Sequence, residues 1–161
     1  MYEDRPYDLL REMAFKHVMV EINLTSNDVI LGVTGYDHPF PIYRRYGVPV
    51  SLSTDDEGVS RIDLTHEYVR AVETYGLTYA DLKKMVRTSI EHSFLSGASL
   101  WRDPDRFRQI APECAADVTG ETPSGCEEFL KSSEKARQEW ELERRFAAFE
   151  ARQTEVRPLG H

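Results

Sequence analysis

The sequence predicts an α/β fold in which helices cover a small parallel sheet. Two short runs rich in β-branched residues, Val18–Ile22 and Val48–Leu52, predict strands. Both runs are mostly apolar rather than strictly alternating, with Glu21 and Ser51 as their polar residues, which is typical of strands buried on both faces of a parallel sheet. About 25 residues separate them, which is enough for a right-handed crossover connection. Two parallel strands alone do not make a stable sheet, so we expect them to be part of a larger one.

Apolar residues at helical spacing predict helices on both sides of the second strand. These helices are Pro6–Lys16, a short helix around Ile42 and Tyr43 that Asp37 caps and Gly47 ends, Leu64–Tyr75 with Gly76 as its C-terminal cap, a helix that Thr78 and Asp81 cap, and Ser124–Arg152. We expect loops at the polar run after the first strand (23–28) and over Trp101–Pro123, which contains three prolines.

Composition and charge exclude several classes of function. The chain has 161 residues, 40% of them hydrophobic, and 28 acidic residues against 20 Lys and Arg, for a formal net charge of -8. We find no apolar run near the ~20 residues of a membrane span and no secretory signal, so we expect no membrane association and a cytoplasmic location. An acidic balance without a basic block argues against nucleic-acid binding. Cys114 and Cys126 lack a metal-binding or redox spacing, and we expect them to be reduced thiols.

Two adjacent carboxylates, Asp55 and Asp56, follow the second predicted strand within Ser53-Thr54-Asp55-Asp56-Glu57-Gly58. The C-terminal ends of strands carry the active sites of α/β barrels. Because successive strand side chains point to opposite sides, one carboxylate would bind a metal ion and the other a substrate beside it. A solvated turn that caps the next helix is the other interpretation, and the residues taken alone favour the turn.

An ordered series of short motifs surrounds this pair. It comprises Thr25-Ser26-Asn27, Leu31-Gly32-Val33, His38-Pro39, the run from Gly47 to Asp56, Leu64-Thr65, Glu67-Tyr68, the run from Leu77 to Leu82, and Arg87 with Ser89, Ser93, Phe94 and Leu95. In this order and spacing the motifs resemble the C-terminal part of the adenosine deaminase family, metal-dependent hydrolases with a (β/α)8 TIM barrel. The resemblance implies an α/β fold that is the C-terminal part of an incomplete barrel over 1–100, about its last two strands and their helices. A loop and a long helical extension over 101–161 would follow.

The resemblance also implies a reaction, the hydrolytic deamination of adenosine or a related purine to inosine and ammonia by the full-length form. Asp55 matches the family's zinc ligand at the end of strand eight, and Asp56 matches the acid that contacts a purine ring nitrogen. A buried Asp56 that stays protonated would donate that hydrogen bond. The zinc ion of the family lowers the pKa of its bound water, so that hydroxide forms near neutral pH.

The family's other zinc ligands and catalytic groups match nothing in this chain. They include a His-x-His pair, whereas the five histidines here are His17, His38, His66, His92 and His161, which we interpret as loop, helix-start, outer-helix and terminal residues. We therefore expect a missing N-terminal barrel segment to supply them, Met1 to be an internal methionine or the start of a truncated gene, and the isolated chain to be inactive.

Several alternatives remain open at this point. Departures from the family pattern at Asn23-Leu24, Ser53, Glu57 and Thr88 leave the substrate open, and an AMP deaminase-like enzyme is one possibility. A non-catalytic remnant acting as a helical interaction module through its last helix is another. A half-barrel completed by a second chain is the third.

Overall fold

The computed structural model describes residues 5–115 and 119–155, without the side chains of 154 and 155. It divides into two compact units, with the boundary between Ser89 and Ile90. We call the residues up to Ser89 unit 1 and those from Ile90 unit 2. The division at 100/101 that the resemblance implies concerns homology rather than packing, and it stays a prediction. Within the described residues, no helix combines the length and the apolar character that a membrane span requires.

Unit 1 is built from two strands and most of the helices. Its elements are α1 (Pro6–Phe15), β1 (Val20–Ile22), α2 (Leu24–Leu31), α3 (Phe40–Tyr46), β2 (Val50–Leu52), α4 (Glu57–Ser60), α5 (Leu64–Tyr75) and α6 (Tyr79–Glu91), the last of which runs two residues into unit 2. The described residues form no closed barrel, because β1 and β2 pair only with each other.

The predicted parallel pairing of the two strands is confirmed. β1 and β2 are parallel, with Val20 opposite Val50 and Ile22 opposite Leu52. All three residues of β2 are buried, which confirms the predicted burial on both faces for this strand. For β1 that prediction is wrong, because Glu21 in the middle of the strand is exposed. The strands and the surrounding helices share one hydrophobic core. The buried residues of this core are Ile22, Leu24, Phe40, Val50, Leu52, Ala71, Leu77 and Met85.

Most predicted helix ends in unit 1 are confirmed. Gly47 and Gly76 adopt the left-handed conformation that ends α3 and α5, with φ of 74° and 63°. The Thr78 N–H donates to Asp81 Oδ2 at 2.9 Å, and the Asp81 N–H donates to Thr78 Oγ1 at 3.3 Å, which is a capping box. The expectation that Asp37 caps α3 is wrong. Asp37 ends a separate 3₁₀ turn that begins at Gly35, and Pro39 stands at the cap.

The loop predicted at 23–28 is wrong, because this polar run is most of α2. Thr25 and Ser26 are buried in its first turn. Their polar groups bond to α5 and to the turn after β2, as described below. These tertiary contacts override the low helix propensity of the run.

Unit 2 contains a hairpin where the sequence predicted only a loop. β3 (Trp101–Asp103) and β4 (Arg108–Ile110) are antiparallel. The strands are three residues long, too short to show a period, so the prolines around them dominated the sequence pattern. Trp101 lies opposite Ile110, and Asp103 lies opposite Arg108 with the opposite charge.

The single helix predicted over Ser124–Arg152 is two helices, α7 (Ser124–Ser132) and α8 (Glu134–Glu155). Ser133 separates them. Its Oγ accepts the Ala136 N–H at 3.1 Å, which is the bond of a helix N-cap, and donates to the Ala98 carbonyl at 2.6 Å. The apolar period continues across the break, so amphipathicity alone did not reveal it.

The expectation of two reduced thiols is also wrong. Cys114 and Cys126 form a disulfide with a Cα–Cα distance of 4.6 Å, and both residues are fully buried. Cys114 ends a 3₁₀ turn that begins at Pro112, and Cys126 lies in the first turn of α7. Both belong to the core of unit 2, together with Leu100, Trp101, Phe107, Ala136 and Trp140. The separation of the two cysteines in the sequence does not indicate that these two turns lie in contact.

Reduction of the disulfide should destabilise unit 2. A cross-link between residues 12 apart restricts the unfolded chain, and we expect its loss to lower the free energy of unfolding by about 3 kcal/mol. Both tryptophans of the chain, Trp101 and Trp140, lie in the core of unit 2, so tryptophan fluorescence during urea unfolding reports on this unit.

The matched control is a variant with Cys114→Ser and Cys126→Ser, whose unfolding midpoint should not respond to reductant. An unchanged midpoint for the native chain in reductant, with the bond shown to be open, would contradict the prediction.

Candidate functional site

The Asp55–Asp56 pair lies in the turn between β2 and α4, beyond the C-terminal end of the strand. Asp55 has a φ of 53°, in the left-handed region that aspartate tolerates better than most residues. Its carbonyl accepts the Glu57 N–H at 2.9 Å. Because β2 ends at Leu52, the alternation of strand side chains does not extend to this pair. The alternation of strand side chains therefore gives no support to the prediction that the two carboxylates point in different directions.

One oxygen of the Asp55 carboxylate is held by a buried side chain. Ser26 Oγ donates to Asp55 Oδ2 at 2.7 Å, and Ser26 is only 3% exposed. Ser26 lies in the first turn of α2, which follows β1 directly. Since β1 and β2 are parallel neighbours, their C-terminal ends bring the Thr25-Ser26-Asn27 and Asp55-Asp56 motifs together.

Asp56 stands at the N-cap position of the short helix α4. Its carbonyl accepts the N–H groups of Val59 and Ser60 at 3.0 and 2.9 Å. Asp55 and Asp56 are both exposed. The buried setting considered for a protonated Asp56 is therefore not formed by the described residues of this chain.

A buried carboxylate anchors the N-terminus of α2. Glu67 of α5 is fully buried, and the Thr25 N–H lies 3.2 and 3.3 Å from its two carboxylate oxygens. Arg70, one turn further along α5, donates to Thr25 Oγ1 at 3.2 Å and pairs with Asp28. Sequence reasoning included Thr25 and Glu67 in the resemblance but gave them no role. The available signal was an acid four residues before Ala71, on the apolar face of α5.

His38 has the helix-start role that the sequence predicted. It is 2% exposed, and its Nδ1 accepts the Phe40 N–H at 3.1 Å, at the start of α3. Its Nε2 lies 2.9 Å from the side-chain amide of Asn27. Burial lowers the pKa of His38, the Arg70 cation lowers it further, and Glu67 opposes the shift. With both ring nitrogens engaged, His38 offers no lone pair to a metal ion.

The donor set of this chain does not make a zinc site by itself. Within 5–115 and 119–155, no three His, Cys, Asp or Glu side chains are grouped so as to hold a metal ion. A catalytic zinc ion takes about three protein ligands, and Asp55 would be one. The depression beside Thr34, Arg70 and Tyr75 is shallow and has no interior room for even a water-sized molecule, so it is not a ligand pocket.

Comparison with known proteins places this chain in a family. The adenosine deaminase family model matches residues 2–118, more than two thirds of the chain. An adenosine deaminase of Clostridium perfringens (strain 13 / Type A) is 37% identical over 95 residues, which cover 58% of this chain and 28% of that protein. An adenosine deaminase of Shewanella loihica is 36% identical over 89 residues, which cover 55% of this chain and 27% of that protein.

These matches define a family of hydrolases, and the chain belongs to the adenosine deaminase family. Its matched segment spans little more than a quarter of the length of these curated relatives. No solved structure matches the chain.

Replacing Glu67 should destabilise unit 1. In Glu67→Ala the Thr25 N–H would be buried without an acceptor, and a lost buried hydrogen bond to a charged group costs about 1.5–3 kcal/mol. We expect a loss of this size in the free energy of unfolding. Because Trp101 and Trp140 report on unit 2, the measurement is hydrogen exchange of unit 1 amides, above all those of α2.

Glu73→Ala is the matched control, because Glu73 is an exposed glutamate of the same helix. It should change α2 protection by less than ~0.5 kcal/mol. Equal effects of the two substitutions would show that Glu67 does not anchor α2.

Proposed function

We propose that this chain is the C-terminal portion of an adenosine deaminase-like zinc hydrolase. Its full-length form would hydrolyse adenosine, or a related purine, to inosine and ammonia. The observation that carries the proposal is the Asp55–Asp56 pair at the C-terminal end of a buried parallel strand, with Asp55 held by Ser26 of the neighbouring βα turn. The C-terminal edge of the strands is where barrel enzymes place their catalytic groups.

Asp55 would act as one zinc ligand. The hydrogen bond from Ser26 occupies its Oδ2 and fixes the orientation of the carboxylate. Such bonds to a ligating carboxylate orient it and tune its affinity for the metal. A zinc ion bound with the help of further ligands would supply an activated water molecule at neutral pH.

Asp56 would contact the purine. It is exposed in this chain, next to Asp55 and at the same edge of the sheet. Further barrel strands would cover it and exclude water from it. A protonated carboxyl group in such a buried setting would donate a hydrogen bond to a ring nitrogen, as the family resemblance implies.

The partner of this chain would be an N-terminal barrel segment. β1 and β2 pair only with each other among the described strands, so each keeps an edge without a strand partner, and parallel sheets are normally covered on both faces. On α2, the adjacent residues Val29, Ile30 and Leu31 are 70%, 64% and 66% exposed. An apolar patch of this kind is typical of a surface that another protein segment covers.

Residues 1–100 would form the barrel portion and 101–161 the extension, with no nucleic-acid or membrane partner. The Cys114–Cys126 disulfide argues against the cytoplasmic location that the sequence predicted, because disulfides are rare in reducing compartments.

The isolated chain should neither bind zinc tightly nor turn over adenosine, because it lacks three grouped metal-binding side chains in its described part. Calorimetric titration with zinc and an ammonia-release assay on the purified chain measure these properties. Stoichiometric tight zinc binding, or turnover abolished by Asp55→Ala, would contradict the proposal that other ligands come from elsewhere.

A chimera tests the two roles directly. In it, the matched segment of this chain replaces the corresponding 95 residues of the Clostridium perfringens adenosine deaminase. We expect Asp55→Ala to abolish zinc binding and turnover. Asp56→Ala, which leaves no side-chain donor, should retain zinc and lower kcat/KM by about 10²–10³, the effect of losing one hydrogen bond to the reacting group.

Two further variants of the chimera sharpen the test. Glu57→Ala is the matched control, an exposed acid beside the pair, and should leave kcat/KM within about twofold. Ser26→Ala should weaken zinc binding by about 10–100-fold. A folded chimera in which Asp56→Ala and Glu57→Ala behave alike would reject the role of Asp56.

A further inference from the structure

Unit 2 contains a buried carboxyl group that the proposed function does not use. Glu139 of α8 is 1% exposed, and it meets Glu91 at the C-terminal end of α6. Both glutamates belong to unit 2. A buried carboxylate is costly unless donors satisfy it, so the hydrogen bonds around this pair decide its state.

The backbone before the hairpin supplies only some of the hydrogen-bond donors that two buried carboxylates require. The Leu100 N–H donates to Glu139 Oε2 at 2.7 Å. Ser99 Oγ lies 2.6 Å from Glu91 Oε2 and 3.4 Å from Glu139 Oε2, so its single hydroxyl proton goes to the nearer oxygen, that of Glu91. Ser99 Oγ accepts the Trp101 N–H at 3.0 Å. Glu139 Oε1 is buried and has no hydrogen-bond partner among the described residues.

A proton on Glu139 resolves this arrangement. Two ionised carboxylates in contact are both acceptors, and neither satisfies the other. A protonated Oε1 would instead donate to the Glu91 carboxylate and carry no buried charge. The charged groups that act on Glu139 are Glu91 of α6 and Lys135 of α8, whose ammonium group donates to the Glu91 carbonyl at 2.6 Å.

We propose that Glu91 and Glu139 form a proton-operated latch, in which one shared proton holds the segment Ser99–Trp101 against α8 and its loss releases that segment. The release is confined to this segment, because the disulfide holds another part of unit 2 together. It joins the turn at Cys114 to α7 and does not involve Ser99–Trp101. Its ligand is the proton itself, and it does not depend on the proposed deaminase function.

The direction of the pH effect follows from the pKa of Glu139. Burial and the contact with Glu91 raise it to about 8 in the closed form, against an ordinary value of 4.5 once the group is exposed. Between these values, opening releases one proton, so the equilibrium constant for opening rises about tenfold per pH unit. It levels off below 4.5, where both forms are protonated, and above about 8, where both are ionised.

Hydrogen exchange of the Leu100 amide in the full chain measures this opening, because its N–H donates to Glu139. After correction for the intrinsic exchange rate, we expect the opening constant to rise about 100-fold between pH 5.5 and 7.5. Glu139→Gln should remove the slope. Glu143→Gln should keep it, because Glu143 is a buried glutamate one turn further along the same helix.

A slope of zero in the native chain, or an equal slope in Glu139→Gln, would overturn the proposal. A second measurement avoids dependence on that variant's folding. Infrared difference spectra of the native chain should show a protonated carboxyl at pH 6 that is lost by pH 9, and Glu91→Gln should shift its loss to lower pH. The absence of this band in the folded native chain at pH 6 would also overturn the latch.

Discussion

The buried carboxylate of Glu67 is the group on which the candidate site depends. A helix that starts inside a protein leaves backbone N–H groups that need acceptors, and Glu67 supplies one to the first turn of α2 through Thr25. The next residue, Ser26, holds the carboxylate of Asp55. The orientation of Asp55 is therefore set by Ser26, which lies 41 positions before Glu67 in the sequence. A substitution of Glu67 would alter the site through α2, although Glu67 does not contact Asp55 in the hydrogen bonds described above.

The features that the sequence predicted are those with local causes. The strand runs at Val20 and Val50, the glycine that ends α5 and the capping box at Thr78 each depend on residues within a few positions of one another. Two of the features that it missed depend on partners far along the chain. The bond from Thr25 to Glu67 joins residues 42 apart, and that from Ser133 to Ala98 joins residues 35 apart. A helical or strand period carries no information about such partners.

For the candidate site, the family resemblance contributed more than the residue pattern did. The pattern alone left Asp55 and Asp56 between a metal-binding pair and a solvated turn. The structure describes a turn, since the pair is exposed and leads into α4, and this turn lies at the C-terminal edge of a buried parallel pair. The same turn therefore fits both interpretations, and they differ only in whether further zinc ligands complete a site around Asp55. His38 cannot be one of these ligands, because its ring nitrogens contact Phe40 and Asn27.

Glu67 and Glu139 show two solutions to the burial of a carboxyl group. Glu67 spreads one backbone donor over both of its oxygens, and its neighbour Arg70 bonds to the same threonine. Glu139 receives one backbone donor on Oε2 and meets a second acid instead of a cation, so its other oxygen requires a proton. The first arrangement takes its hydrogen-bond donor from the protein backbone. The second takes its donor from the solvent, and the stability of the segment before the hairpin must therefore follow the proton concentration.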